Sequence, residues 1–323
     1  MNWELEKWNK TAARLQACAA ELLFPRRCLY CGEIVLPRGE LICTDCVGKL
    51  PYIRGRRCAV CGRELPEGGK VHGRPLCRRC STYSRAVKRG FCLLRYDGVS
   101  AEIMAGLKYH HKKEYADGLG WLLYEAFGGL LQELSPEALI PVPVHKKRRR
   151  VRGYNQAEEI CRSLSAFLRG DEKELIRMGL PAERIRNVQE RNTVQRRALT
   201  QNGSRFQKGP SGERASFAAL GEAGKESREM GERVPFQMES GMLLRKKNTK
   251  ALKNLSADER IFSLQNAFYV PKEQEAVLKR MKTVVLVDDI YTTGATIEAC
   301  ASALLRAGAG RVYSLCVCAG RDT

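Results

Sequence analysis

The segment from Val284 to Thr296 (VVLVDDIYTTGAT) gathers the residue types most able to do chemistry. Its apolar start predicts a strand over 283–287, buried on both faces as in a parallel sheet. Two acids, Asp288 and Asp289, follow, then a loop of small and hydroxyl residues, then a helix over 296–307. Loop amides leading into a helix N-terminus form an anion site, with the helix dipole adding to the attraction. Thr292, Thr293 and Thr296 add hydroxyl donors, while Gly294 and Ala295 keep side-chain bulk away from a bound phosphate. Asp288 and Asp289 would repel phosphate. As acceptors they suit sugar hydroxyls instead. The competing reading is a capping loop of an ordinary α/β fold. No G-x-x-x-x-G-K-[ST] motif is present, which excludes a P-loop nucleotide hydrolase.

Four CxxC pairs form a second constellation: Cys28/Cys31, Cys43/Cys46, Cys58/Cys61 and Cys77/Cys80. Eleven residues separate Cys31 from Cys43 and fifteen separate Cys61 from Cys77. Those gaps suit two zinc ribbons, each holding one structural Zn2+ with four thiolates. Redox CxxC chemistry and a single occupied site are the competing readings. A ribbon is too small to fold without its metal, so losing Cys28 or Cys58 is expected to unfold the N-terminal module and spare the remainder.

The chain has 323 residues with 56 Lys+Arg against 36 Asp+Glu, a formal charge of +20. Eight thiolates with two Zn2+ contribute −4 and lower this to +16. A balance this basic excludes an acidic solvating protein and favours a polyanionic partner. The charged N-terminus has no apolar core of a secretory signal, and no stretch is long and apolar enough for a spanning helix, so a cytoplasmic location is expected. Lys/Arg clusters at 54–63, 74–79 and 146–152 suggest an electrostatic track for single-stranded DNA, on which Tyr52, Tyr83 and Tyr154 offer stacking faces.

The elements that must position these groups follow from periodicity. Residues 1–25 predict an amphipathic helix with Trp8, Ala12, Leu15, Ala19 and Leu22 on one stripe, and 26–82 a double zinc ribbon. Strands alternating with helices over 90–170 and 242–323 predict an α/β domain, a parallel sheet with helices on both faces. Asn155 reads as a helix N-cap. The stretch 171–241 lacks a sustained period, and its charges nearly cancel (13 Lys+Arg, 11 Asp+Glu). It reads as a largely disordered insertion, with a weak helix over 171–197 as the alternative.

The acid pair and Thr/Gly loop resemble the signature of type I phosphoribosyltransferases. That resemblance implies that the loop holds the 5′-phosphate of phosphoribosyl pyrophosphate (PRPP) and that Asp288 and Asp289 hold the ribose hydroxyls, as the catalytic acids. The order of four CxxC pairs, RYDG, GLKYHHKKEYA, PVPVHKKRRRVRGYNQAEEI, LRKKNTKALKNLSADERIFSLQNAF and the acid loop is similar to that of the ComF family, competence-associated phosphoribosyltransferase-like proteins with an N-terminal zinc ribbon. One departure is Asn266, where such proteins usually carry Gly. By position, 141–145 then matches the pyrophosphate loop, which makes His145, Lys146 and Lys147 candidates for that charge and Arg152 a further anion ligand. A solvated basic run is the competing reading of those residues. Lys108 and Tyr109 match a cleft-lining LKY. The resemblance implies PRPP or a related ribose phosphate as ligand, single-stranded DNA and DNA-uptake proteins as partners, and Mg2+ with PRPP if transfer is catalysed. A salvage phosphoribosyltransferase with a merely structural ribbon is the alternative. No base-specificity motif is recognisable.

Overall fold

The computed structural model describes residues 19–66, 74–83, 85–201, 235–246 and 267–320, with Trp8, Thr11, Ala12, Leu15, Gln16 and Leu264 as isolated positions. After the cysteine-rich segment the elements run β1 (Arg89–Arg95), α1 (Gly98–Tyr109), α2 (Tyr115–Leu134), β2 (Ala138–Pro141), α3 (Lys146–Arg152), α4 (Gln156–Arg169), α5 (Glu172–Arg177) and α6 (Ala182–Gln201). Then follow β3 (Gln237–Met238), β4 (Leu244–Arg245), β5 (Phe268–Tyr269), α7 (Lys272–Leu278), β6 (Thr283–Tyr291), α8 (Ala295–Arg306) and β7 (Arg311–Ala319). Five strands form one sheet in the order β1-β7-β6-β2-β3, with every neighbouring pair parallel. β4 and β5 pair antiparallel beside it. Helices cover both faces, as expected for strands this apolar.

β6 shows why the sheet needs two covers. Val285 and Val287 face a core shared with α2 and α4, while Val284 and Leu286 face a core shared with α8. The strand continues to Tyr291, past the expected end at Val287, because β7 runs beside it to Ala319. Both acids therefore sit on a hydrogen-bonded strand rather than in a loop. The loop proper begins at Thr292.

The ribbons are not appendages. Cys28, Leu29, Leu41, Ile42 and Cys46 belong to the first core, with α1 and α2. α2 meets this ribbon with Gly118, where a Cβ would stand 2.9 Å from Leu29. Cys58, Cys61 and Cys77 belong to the second core with Cys92, Cys316 and Ala301 of the α/β domain. The expectation that a ribbon could be lost while the α/β domain is spared is therefore replaced by shared cores on both sides of the sheet.

The 171–241 stretch also differs from a disordered loop over its first part. Asp171 caps α5 by accepting from Glu174 N–H, and Leu175, Ile176, Leu180 and Ile185 are buried in the first core. The helical alternative is the one the structure shows, and it extends to Gln201. A Cβ at Gly39 would lie 3.0 Å from Pro181, Arg184 pairs with Glu40, and Asp117 joins Arg26 (3.3 Å) to Arg177 (3.5 Å). These contacts tie α5 and α6 to the first ribbon. β3 then adds an edge strand to β2. Residues 202–234, 247–263, 265 and 266 lie outside the described residues, and with them most of the LRKKNTKALKNLSADERIFSLQNAF segment.

Asn192 on α6 is 3% exposed, accepts from the Tyr124 hydroxyl at 3.0 Å and donates to Phe167 O at 2.7 Å. Asn192→Ala leaves the buried Tyr124 hydroxyl unpaired and removes one of the donors to Phe167 O, which keeps Gly170 N–H, so it is expected to cost about 1–3 kcal/mol, measured by urea unfolding. A loss below about 0.5 kcal/mol would mean that α6 does not belong to the core.

All five members of the N-terminal stripe, Trp8, Ala12, Leu15, Ala19 and Leu22, are exposed. Among the described residues no helix is long and apolar enough to cross a membrane.

Candidate functional site

The C-terminal ends of β2 and β6, the end of α1, the α3–α4 turn and β4 enclose a cleft of about 720 Å³. Asp288, Asp289, Thr292 and Thr296 form one wall, and Lys108, Lys147, Arg148, Arg152 and Arg245 contribute cations around it. Tyr109 and the β2 extension Val142-Pro143-Val144 also line it.

Each wall has a local cause. Gly294 caps α8 with φ 80°, and a Cβ there would run into the Tyr291 hydroxyl, so both backbone and packing require glycine. Thr293 Oγ1 accepts from Ala295 N–H at 3.3 Å and tightens the turn from within. Ala295 is buried, whereas Thr292 is exposed and, with Thr296, faces the cleft. The next amides of the first α8 turn lack intrahelical acceptors, which leaves an anion-binding end.

On the opposite side Asn155 caps α4, accepting from Ala157 N–H at 3.2 Å and donating to Val142 O at 3.0 Å. Tyr154 donates to Leu107 O at 2.6 Å. The Arg152–Gln156 turn is thereby anchored to both β2 and α1. Tyr154 is 9% exposed and committed to this bond, so it is removed from the stacking faces expected for DNA; Tyr83 is 41% exposed.

The basic run after β2 forms α3, an element not anticipated from the sequence. His145 is its N-cap, with Nδ1 accepting from Lys147 N–H at 3.2 Å. His145 and Lys146 lie outside the cleft lining, whereas Lys147 and Arg148, next along the helix, are within it. Arg152 lies over the Tyr109 ring at 5.4 Å and donates to Gln156 Oε1 at 3.0 Å.

The acids are electrostatically unequal. Lys108 Nζ lies 2.8 Å from Asp289 Oδ2, with both side chains largely buried. Burial opposes the Lys108 charge, but Asp289, through charge and hydrogen bond, and then Asp288 outweigh it and hold the ammonium above its usual range. Asp288 is pushed up to about 8, first by desolvation and then by the charge of Asp289. Its Oδ1 accepts from Asp289 N–H at 2.9 Å. One acid is thus a paired carboxylate and the other titrates near neutrality.

Arg245 and Arg63 escaped the sequence reading. Arg245 sits in LRKK, too short a strand to register by period, and enters the cleft from β4. Arg63 follows a CxxC pair and looks like one more surface cation, yet it is buried and its Nη2 donates to Thr292 O at 2.5 Å.

The cysteines satisfy the geometry of two metal centres. Within each set of four, Cys28/Cys31/Cys43/Cys46 and Cys58/Cys61/Cys77/Cys80, the sulfurs all lie within 4.8 Å of one another. Cys61 Sγ and Cys77 Sγ are 3.7 Å apart, and tetrahedral Zn–S bonds of about 2.3 Å require about 3.8 Å. Burial, and then the neighbouring Cys31 and Cys28, push the Cys46 thiol up to about 12, a penalty that a bound cation would offset.

The comparisons agree with both halves. A double zinc ribbon domain matches residues 19–81, and a phosphoribosyl transferase domain matches residues 244–323. The competence protein ComFC of Bacillus subtilis (strain 168) is 26% identical over 139 residues, 40% of this chain. Together these matches support a ComF-like chain, a double zinc ribbon ahead of a phosphoribosyl transferase domain. The matched segment takes in 54% of that relative's length. The ComF-type order of ribbons before the acid loop thus coincides with the parallel sheet, the two four-cysteine centres and the cleft described above.

Proposed function

We propose that this ComF-like chain binds PRPP or a related ribose phosphate in the cleft, binds single-stranded DNA on the adjoining basic surface, and serves DNA uptake. The observation that carries the first part is the juxtaposition of an acid pair with a ring of cations around one cleft. Asp288 and Asp289 accept from ribose hydroxyls, the Thr292–Thr296 loop receives the 5′-phosphate, and Lys147, Arg148, Arg152 and Arg245 balance the remaining phosphate charge. The printed name of the Bacillus subtilis relative, a competence protein, supports the physiological role.

The DNA part rests on α3. It carries Lys146, Lys147, Arg148, Arg149, Arg150 and Arg152 within seven residues, and Arg148 belongs to both the helix surface and the cleft. A strand on this surface would pass the mouth of the ribose-phosphate site. Affinity for single strands is expected to fall with salt at a log–log slope of about −0.7 per phosphate contacted. Arg149→Glu with Arg150→Glu, both outside the cleft lining, is expected to weaken DNA binding at least tenfold and to flatten that slope by about 1.4 or more, while PRPP binding and zinc content stay unchanged. Unchanged DNA affinity would take the strand off α3.

The same acid pair favours a second reading, transfer of the ribosyl group to a base with release of pyrophosphate. Mg2+ would then accompany PRPP, and the chain's own residues would position the ribose and stabilise charge. Pyrophosphate release from PRPP with one of a panel of bases would establish transfer. No release across the panel, with PRPP still bound, would leave a binding protein.

A further inference from the structure

The two ribbons repeat one geometry, with one difference. In each, the glycine after the second cysteine of the knuckle is left-handed, Gly32 at φ 77° and Gly62 at φ 75°. In each, the first cysteine's N–H donates to the carbonyl two residues beyond the second cysteine, Cys28 to Glu33 at 2.7 Å and Cys58 to Arg63 at 2.8 Å. Glu33 is exposed. Arg63, at the equivalent place, is 2% exposed. The knuckle therefore does not itself require a buried cation there.

Arg63 reaches the anion-binding loop. Its Nη2 donates to Thr292 O at 2.5 Å, and its guanidinium lies over the Tyr291 ring at 5.3 Å. The Tyr291 hydroxyl in turn fills the space beside Gly294, the residue that turns the loop into α8. The ribbon backbone behind Arg63 is fixed as well: Gly90 N–H donates to Val60 O at 2.6 Å, and a Cβ at Gly62 would lie 2.5 Å from Gly90 O. A buried guanidinium without good partners costs several kcal/mol, so this contact persists only while knuckle and loop keep their relative positions.

We infer that Arg63 is a positioning residue through which the second zinc ribbon sets the shape of the Thr292–Thr296 loop, so that metal in that ribbon and ribose phosphate in the cleft favour each other. The second half rests on the ribose-phosphate reading of the cleft. Favouring is reciprocal: a ligand that orders the loop must also strengthen metal retention.

The test uses the full chain with two Zn2+ bound and begins without ligand. Hydrogen exchange of the 292–297 amides is expected to be at least tenfold faster in Arg63→Met than in wild type, with metal content unchanged. Arg63→Lys keeps the charge and one donor to Thr292 O but loses the planar stack, and it is expected to fall between the two. PRPP affinity should drop about 10- to 100-fold in Arg63→Met, the range for losing a charged hydrogen bond. In wild type, PRPP is expected to slow chelator-driven release of one of the two metals, and Arg63→Met should abolish that protection. A Met variant that keeps two metals and wild-type loop exchange overturns the inference. If the Met variant loses metal or fails to fold, the Lys variant decides, and wild-type loop exchange there overturns it equally. If wild type binds no ribose phosphate, the cleft reading fails, while the ligand-free exchange comparison still judges the strut.

Discussion

Cys58→Ser is expected to abolish the cooperative fold of the whole α/β domain rather than to melt a separate zinc module. Cys58, Cys61 and Cys77 are each 1% exposed and share a core with Cys92, Cys300, Cys316 and Ala301. A structural Zn2+ contributes on the order of 10 kcal/mol or more to folding, as much as the entire margin of a typical domain. The first centre should yield more readily, because Cys31 is exposed and Cys43 half-buried, whereas only Cys80 of the second set is other than buried. A chelator is therefore expected to remove metal in two phases of equal amplitude. Because each ribbon shares a core with one face of the sheet, both phases should coincide with loss of near-ultraviolet circular dichroism from the sheet domain. Release in two phases with the sheet signal intact throughout would show that the ribbons fold apart from it.

Asp288→Asn is expected to stabilise the fold while removing ligand affinity. The native carboxyl titrates near 8 and the unfolded one near its ordinary 3.8. Between those values the native state holds a proton that the unfolded chain has released, so wild-type stability falls as pH rises through that window. Asparagine has no proton to release in that window and keeps the oxygen that accepts from Asp289 N–H. The variant should melt about 4–8 °C above wild type at pH 8, corresponding to about 2 kcal/mol, and converge with it near pH 4. A variant melting at or below wild type at pH 8 would mean that Asp288 is an ordinary solvated carboxylate. The combination of more stability with less binding is what a site that stores unfavourable charge for its ligand should show.

Much of this arrangement was legible in the chain. The cysteine spacing is a direct statement of ligand geometry, since two CxxC turns at ribbon distance can close on one ion. The VVLVDD run and the Thr/Gly loop likewise give a strand, a turn and a helix start with little dependence on the surroundings. What escaped depends on tertiary contacts. α3 is a run of cations with no apolar stripe, and it is helical because His145 caps it and Gly153 ends it in a left-handed turn. α6 carries so few apolar residues that its period is faint, and Asn192 rather than a hydrophobe locks it to Tyr124 and Phe167. Arg63 and Arg245 cannot be told from the chain's other cations until the fold buries one and turns the other into the cleft. The independence expected of the ribbons failed for a related reason: sequence shows their ligands but not that the outer faces of those ligands pack on a sheet.

The central claim is that Asp288, Asp289 and the Thr292–Thr296 loop form a ribose-phosphate site, and the most direct measurement is calorimetric titration of the zinc-loaded chain with PRPP and Mg2+. Wild type is expected to bind with one site per chain. Asp288→Asn combined with Asp289→Asn should lose at least tenfold in affinity, as removal of charged hydrogen-bond acceptors requires, with the zinc content and the circular dichroism of the folded chain retained. Wild-type affinity in that double variant would contradict the account and reduce the loop to a helix cap.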